Sequence, residues 1–254
     1  RRVVQSDPAY AAMMENLDSN IGRLLDGLAA AGLAENTLVV FTSDNGGLAT
    51  AEGSPTCNLP LAEGKGWMYE GGTRVCQLAR WPGRIKPGVA HTPTTSPDWY
   101  PTLLAAAGLP LQPERHADGE SLLPVLTAGD AAAGALAERA IFWHYPHYSN
   151  QGGTPACSVR AGDYKLIEFF EDDHIELYNL RTDLEEKHDL VGAEPARAQS
   201  LRGQLDGWRD EIRGRRPRAN PKYLPPPSAE VDPAEVWARV HGRRKRSGWA
   251  GLVA

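Results

Sequence analysis

Cysteine is scarce: the 254 residues hold three, Cys57, Cys76 and Cys157, far apart and without a C-x-x-C pair. That argues against both a disulfide framework and a zinc site. No apolar run reaches the roughly 20 residues that a membrane span needs, and no secretory signal stands at the start. Positive charge is not in surplus either. A net charge of -5 speaks against a general nucleic-acid binder, and the basic runs at 213–218 and 243–246 read as solvated tail. No internal repeat is present. What the chain does have is an ordinary composition, 41% hydrophobic and 23% charged, enough to bury a core in one large or two smaller units. It opens at Arg1 in the approach to a helix, so a start further upstream is expected and the absent signal carries no weight.

Ser6-Asp7-Pro8 is a helix start, with Asp7 as cap and proline at the first helical position. Tyr10, Met14, Leu17, Ile21, Leu24, Leu25 and Leu28 then recur at spacings of three and four, forming one apolar face, and Gly32 ends the helix. The run Leu38 to Thr42 lacks alternation, as expected of a central strand in a parallel sheet covered on both faces. Helix, turn and strand make an αβ unit of a layered α/β domain. Residues 48–63 read as a loop, Leu78 to Trp81 as a short strand, and Ser96-Pro97 as the cap of a helix carrying Trp99, Leu103, Leu104 and Ala107. Residues 119–126 read as loop and turn, and the Ala/Gly-rich stretch 128–137 as the join to a second unit.

The second unit changes character. Ala140 to Trp143, Ser158 to Ala161, Tyr164 to Phe170 and Ile175 to Leu180 read as short strands, with Glu171-Asp172-Asp173 as a hairpin turn. A following helix, with Ala198, Leu201, Leu205, Trp208 and Ile212 on one stripe, covers one face. The expected organisation is residues 1–130 in the α/β part, 138–215 in the α+β unit, and 216–254 as a Pro/Arg-rich tail with a weak helical signal at 233–240.

Two places carry chemistry. Asp44-Asn45, followed by two glycines at the end of the strand, offers hard oxygen donors that suit Ca²⁺ or Mg²⁺. The same residues also suit an Asx or glycine turn with no ligand. Lys65 stands between Gly64 and Gly66, close to backbone, and reads either as an anion contact or as a solvated loop cation. Arg74 braces the Lys65 loop through Glu70 or forms a simple surface pair with it. Trp143-His144-Tyr145-Pro146-His147-Tyr148 puts two imidazoles among aromatics. It reads either as a seal between the two units or as a substrate contact through His144 and His147. His91, His116, His174, His188 and His241 read as surface residues.

Together these pieces resemble the formylglycine-dependent sulfatases, arylsulfatase-like members of the alkaline phosphatase superfamily. The resemblance rests on Thr42-Ser43-Asp44-Asn45-Gly46, Gly64-Lys65-Gly66 with Tyr69-Glu70-Gly71-Gly72 and Arg74, Arg80-Trp81-Pro82-Gly83, and Asp98-x-x-Pro101-Thr102. It continues in Gly162-Asp163-Tyr164-Lys165-Leu166, Glu176-Leu177-Tyr178-Asn179-Leu180 and Glu186-x-x-Asp189-Leu190, and covers about residues 5 to 225. It implies part of an α/β/α sandwich, followed by a small α+β C-terminal subdomain with a short antiparallel sheet and one packed helix. It also implies that Asp44 and Asn45 bind a divalent cation, usually calcium, and that Lys65 contacts the sulfate group and takes part in catalysis. The substrate would be a sulfated small molecule or glycan, and the location periplasmic or secreted.

The departures count equally. The C-x-P-S-R or S-x-P-S-R segment that yields formylglycine is absent. Cys57, Cys76 and Cys157 lack its proline and arginine, and the family's early Asp pair is missing. Two oxygens cannot make the six to eight that Ca²⁺ takes. The expectation is therefore the C-terminal portion of a sulfatase, inactive alone, whose nucleophile lies outside this sequence. In the complete enzyme a formylglycine hydrate would attack sulfur and release the alcohol. A phosphodiesterase or phosphonate hydrolase of the same superfamily remains an alternative, as does a non-catalytic binder of anionic glycans.

Overall fold

Helix α1 runs from Pro8 to Ala30, started by the Asp7 carboxylate accepting from Tyr10 N at 3.0 Å and stopped at Gly32, whose φ of 69° suits glycine. These coordinates are a computed structural model, and it describes residues 4–218. Residues 4–217 form one compact unit. The helical signal at 233–240 lies outside the described residues, as does nearly all of the expected tail.

The apolar stripe of α1 forms, but none of the described residues covers it fully. Tyr10, Ile21, Leu25 and Leu28 are half-buried, Met14, Leu17 and Leu24 are exposed, and no residue of the helix is buried. Strand β1 (Val39–Thr42) corrects the expectation of a parallel neighbour. Among the described residues it pairs only with β2 (Gln77–Arg80), antiparallel, with Val40 opposite Ala79 and Phe41 opposite Leu78. A non-alternating apolar run does not give the direction of its partner. The expected cover on both faces is also not seen among the described residues: Val39, Val40 and Phe41 are half-buried and Thr42 is exposed. Here the long excursion 43–76 brings the chain back beside its own strand.

Helix α2 (Glu70–Thr73) comes just before β2, and α3 (Trp99–Ala106), α4 (Leu123–Ala128) and α5 (Ala135–Glu138) lie in the chain between β2 and the second sheet. The last two replace the expected loop and join. Leu122, Val125, Ala133 and Leu136 bury one another beneath Trp99, and small alanines let the short turns pack closely. The start of α3 also differs from expectation, because a 3-10 turn over Ser96–Asp98 precedes it and Asp98 accepts from Thr95 N at 2.7 Å.

The four expected strands form β3 (Ala140–Tyr145), β4 (Ala156–Ala161), β5 (Tyr164–Phe169) and β6 (Ile175–Asn179), an antiparallel meander in that order. Helix α6 (Pro195–Glu211) lays Ala198, Leu201 and Leu205 on Cys157, Val159, Leu166 and Leu177. Trp208 stacks on Phe142 at 4.8 Å. The opposite face of the sheet is also covered, with Ile167, Phe169 and Tyr178 packed against Met68 and Tyr69. The sheet is thus sandwiched between its own helix and the segment that follows Lys65.

Candidate functional site

Asp44 and Asn45 occupy a turn just past β1, held by Ser43 Oγ donating to the Asn45 carbonyl at 2.8 Å. Asp44 is exposed and Asn45 half-buried. The next two glycines are required by contact. A Cβ on Gly46 would stand 1.7 Å from the Gly71 carbonyl oxygen, and Gly46 N donates to Gly72 O at 2.9 Å. The Gly47 carbonyl accepts from Lys65 N at 3.1 Å and from Asn58 Nδ2 at 2.8 Å, while the same Asn58 amide reaches Glu63 O at 3.0 Å. Backbone and one amide therefore tie the Asp44-Asn45 turn to the Lys65 loop. Lys65 itself is exposed, and Asp44, Asn45 and Lys65 all line one broad cleft.

Beneath both loops sits α2. Its glycines are as tightly enclosed as Gly46, since a Cβ on Gly71 would meet Ala62 O at 2.1 Å and one on Gly72 would meet Trp67 O at 2.1 Å. The residues just before them reach into the C-terminal sheet. Tyr69 OH donates to Glu176 Oε2 at 2.8 Å, and Glu70 Oε1 lies 2.9 Å from Lys165 Nζ. Lys165 is fully buried and also faces Glu186 Oε1 at 3.1 Å. Arg74, expected to act on Glu70, is the weaker partner: 3.5 Å away with a side chain 48% exposed. Lys165 and Glu186 were not singled out as site residues. The available signal was that β5 does not alternate, so its lysine had no solvent face to occupy.

Two carboxylates compete for this one ammonium. Burial opposes the charge on each. At Glu70 burial is the largest single influence, but Lys165, Arg160 and Arg74 together hold the carboxyl below its usual range, whereas at Glu186 burial and the Glu70 charge push it up.

His144 and His147 stand apart in role. His144 Nε2 lies 3.1 Å from the Arg215 carbonyl, which only accepts, so that nitrogen carries the proton. Its Nδ1 is buried without a protein partner among the described residues, and burial lowers its pKa. The ring nevertheless shares the cleft with Lys65. His147 is exposed and packs edge-on against Tyr145. Closer to Lys65 is the β3–β4 loop, where Trp67 Nε1 donates to Gln151 O at 2.9 Å and a Cβ on Gly153 would meet Gly66 O at 1.8 Å. His116, expected at the surface, is half-buried and bridges Gln112 N and Gly119 O.

The donor set partly fits a hard divalent cation. Asp44 and Asn45 carry oxygen atoms of the type such a cation takes, but the described residues contain no cluster of three or more His, Cys, Asp or Glu able to hold a metal. No cysteine fits a formylglycine precursor. Cys57 is half-buried, Cys76 is exposed, and Cys157 is buried against Glu168 with its thiol pushed up to about 12, first by burial and then by that carboxylate.

Comparisons with known proteins bear on this site. The family model described as Sulfatase matches residues 2–109, and the one described as N-sulphoglucosamine sulphohydrolase, C-terminal, matches residues 63–210, more than half of the chain. A sulfatase of Formosa agariphila is 38% identical over 229 residues, 82% of this chain and 40% of the relative. Human arylsulfatase A is 41% identical over 162 residues, 64% of this chain and 30% of the relative. Among solved structures, BT4656 in complex with D-glucosamine-2-N,6-O-disulfate aligns with a TM-score of 0.65 at 28% identity, over 80% of this chain and 40% of that one. Ps i-CgsB in complex with k-i-k-neocarrahexaose aligns with a TM-score of 0.68 at 25% identity, over 93% and 48%. The chain thus spans 40% or less of the length of these two curated relatives.

Proposed function

Given that the chain belongs to the sulfatase family, we propose that it supplies one side of a sulfate-ester hydrolase site. Asp44 and Asn45 are two of the ligands of a divalent cation, Ca²⁺, and Lys65 contacts the sulfate group. The observation that carries this reading is the direct hydrogen bond from Lys65 N to Gly47 O, which joins a cation and two hard oxygen donors at one cleft. The remaining cation ligands and the formylglycine nucleophile come from outside this sequence, in keeping with the share of each relative that the chain covers.

Each residue has a definable task. The Lys65 ammonium neutralises sulfate oxygens as charge builds on the departing ester oxygen. When bound, the cation adds Lewis-acid polarisation of the same oxygens. Asn45 contributes an oxygen without a charge, so the donor set does not repel a sulfate. The substrate is a sulfated small molecule or sugar, with His144 at the C-terminal-sheet side of the cleft and His147, exposed beside Tyr145 outside the cleft lining, as substrate contacts.

The test titrates inorganic sulfate and Ca²⁺ into the intact chain, following amide signals of residues 44–47 and 64–66, alongside an assay with an aryl sulfate. Expected are sulfate shifts that weaken in Lys65→Ala, Ca²⁺ shifts that weaken in Asp44→Ala, and no turnover. Turnover by this polypeptide alone, or shifts indifferent to both substitutions, would overturn the reading.

A further inference from the structure

Nothing in the reaction just described uses Lys165, Glu70 or Glu186, yet all three are ionisable and buried. Burying charge is costly unless it is paired, and apolar replacements of a buried ion cluster are often at least as stable. A buried ion cluster is therefore a weak source of stability, and what it holds in place is the question.

Its geometry suggests one. Lys165 Nζ lies 2.9 Å from Glu70 Oε1, 3.1 Å from Glu186 Oε1 and 3.4 Å from Thr73 Oγ1. The Glu186 carboxylate uses its other oxygen, Oε2, to accept from Glu70 N at 2.6 Å. Both ends of α2, its first residue and its last, are therefore fastened to groups of the C-terminal sheet and the turn after it. Glu186 does this from a φ of 52°, a left-handed backbone that a non-glycine residue keeps only where its surroundings hold it. Above α2 there is no slack. Gly71 and Gly72 touch the carbonyls of Ala62, Glu63, Gly64 and Trp67, and Gly72 O receives Gly46 N. Wherever α2 goes, the Asp44-Asn45 turn and the Lys65 loop go with it.

We propose that Lys165, with Glu186, is a positioning residue: it locks α2 through Glu70 and so fixes the mutual placement of the Asp44-Asn45 turn and Lys65. The C-terminal sheet then belongs to the reaction centre rather than serving only as a substrate-choosing appendage. The consequence for Lys65 rests on its proposed contact with sulfate. The consequence for the loops does not.

Amide hydrogen exchange of the intact chain separates the two. In Lys165→Met the amides of Gly46 and Lys65, whose acceptors are Gly72 O of α2 and Gly47 O, are expected to exchange about tenfold faster, while those of β4 and α6 change little. The charge-free triple variant Lys165→Met, Glu70→Gln, Glu186→Gln removes the stranded carboxylates and recovers unfolding stability, but leaves the two loop amides fast. Loop amides as slow as wild type in that stable triple variant would overturn the proposal, as would loop and sheet amides accelerating equally in both variants. Binding of inorganic sulfate provides the second arm. Lys65→Ala and Lys165→Met are both expected to weaken it about tenfold, or about 1.4 kcal/mol. Weakening by Lys65→Ala with none by Lys165→Met counts against positioning. No weakening by Lys65→Ala counts against the sulfate reading and leaves the exchange result to decide the other.

Discussion

Arg139 grips Asp98 with both terminal nitrogens, at 2.6 Å to Oδ1 and 2.5 Å to Oδ2, across 41 residues of chain. The carboxylate is fully buried and also accepts from Thr95 N and Glu120 N, so it organises the start of α3, the following loop and the entry to β3 at once. Removing the cation strands this charge. Arg139→Met is expected to destabilise the chain by about 3–5 kcal/mol, read from urea unfolding. Arg139→Met combined with Asp98→Asn should recover part of that loss, since the amide carries no charge to strand.

Core and surface apolar residues should separate sharply. Leu205 is fully buried between α6 and the sheet, and Leu205→Ala should cost about 2–5 kcal/mol. Leu24 is 60% exposed on α1, and Leu24→Ala should stay within about 0.5 kcal/mol. Equal losses would show that the α1 stripe is covered in solution.

Thiol reactivity should rank the cysteines by environment. A disulfide reagent at pH 8 should modify exposed Cys76 quickly and Cys57 more slowly. Cys157 should resist until denaturant is added, because its thiol titrates near 12 and is buried. Rapid native-state labelling of Cys157 would contradict the packing of α6 on β4.

Stability should depend on pH in two opposite limbs. Glu186 has a raised carboxyl, so the folded chain holds a proton that the unfolded chain releases at its ordinary 4.5. Its contribution grows as pH falls toward mild acid. Glu70 and Glu168 have lowered carboxyls. Burial opposes their charge most, but Lys165 with Arg160 and Arg74 at Glu70, and Arg209 with Arg216 and Cys157 at Glu168, together outweigh it. Their contribution is full above about 4.5 and fades as pH falls below it toward their folded values. Glu186→Gln should abolish the mild-acid gain and leave the acid loss, measured as unfolding midpoints from pH 8 to pH 3. A gain that survives Glu186→Gln would assign it elsewhere.

What local pattern encodes, the sequence determined. Asp7, Pro8 and Gly32 bound α1, the stripe Ala198–Leu201–Leu205 defines α6, and turn residues separate the four strands of the C-terminal meander, though β3 runs on to Tyr145 and β4 starts at Ala156, each two residues beyond the expected bound. Asp44, Asn45 and Lys65 stood out because glycines crowd them, and glycine density signals close backbone approach before any coordinates exist. Tertiary structure alone decided the partners. Period and propensity are the same for β1 whether its neighbour runs parallel or antiparallel, and only the returning strand 77–80 settled it. The α1 stripe is equally apolar whether or not anything covers it. Lys165 and Glu70 lie 95 residues apart, and no spacing rule links residues so distant. Their pairing exists because the fold buries both and charge cannot remain buried alone.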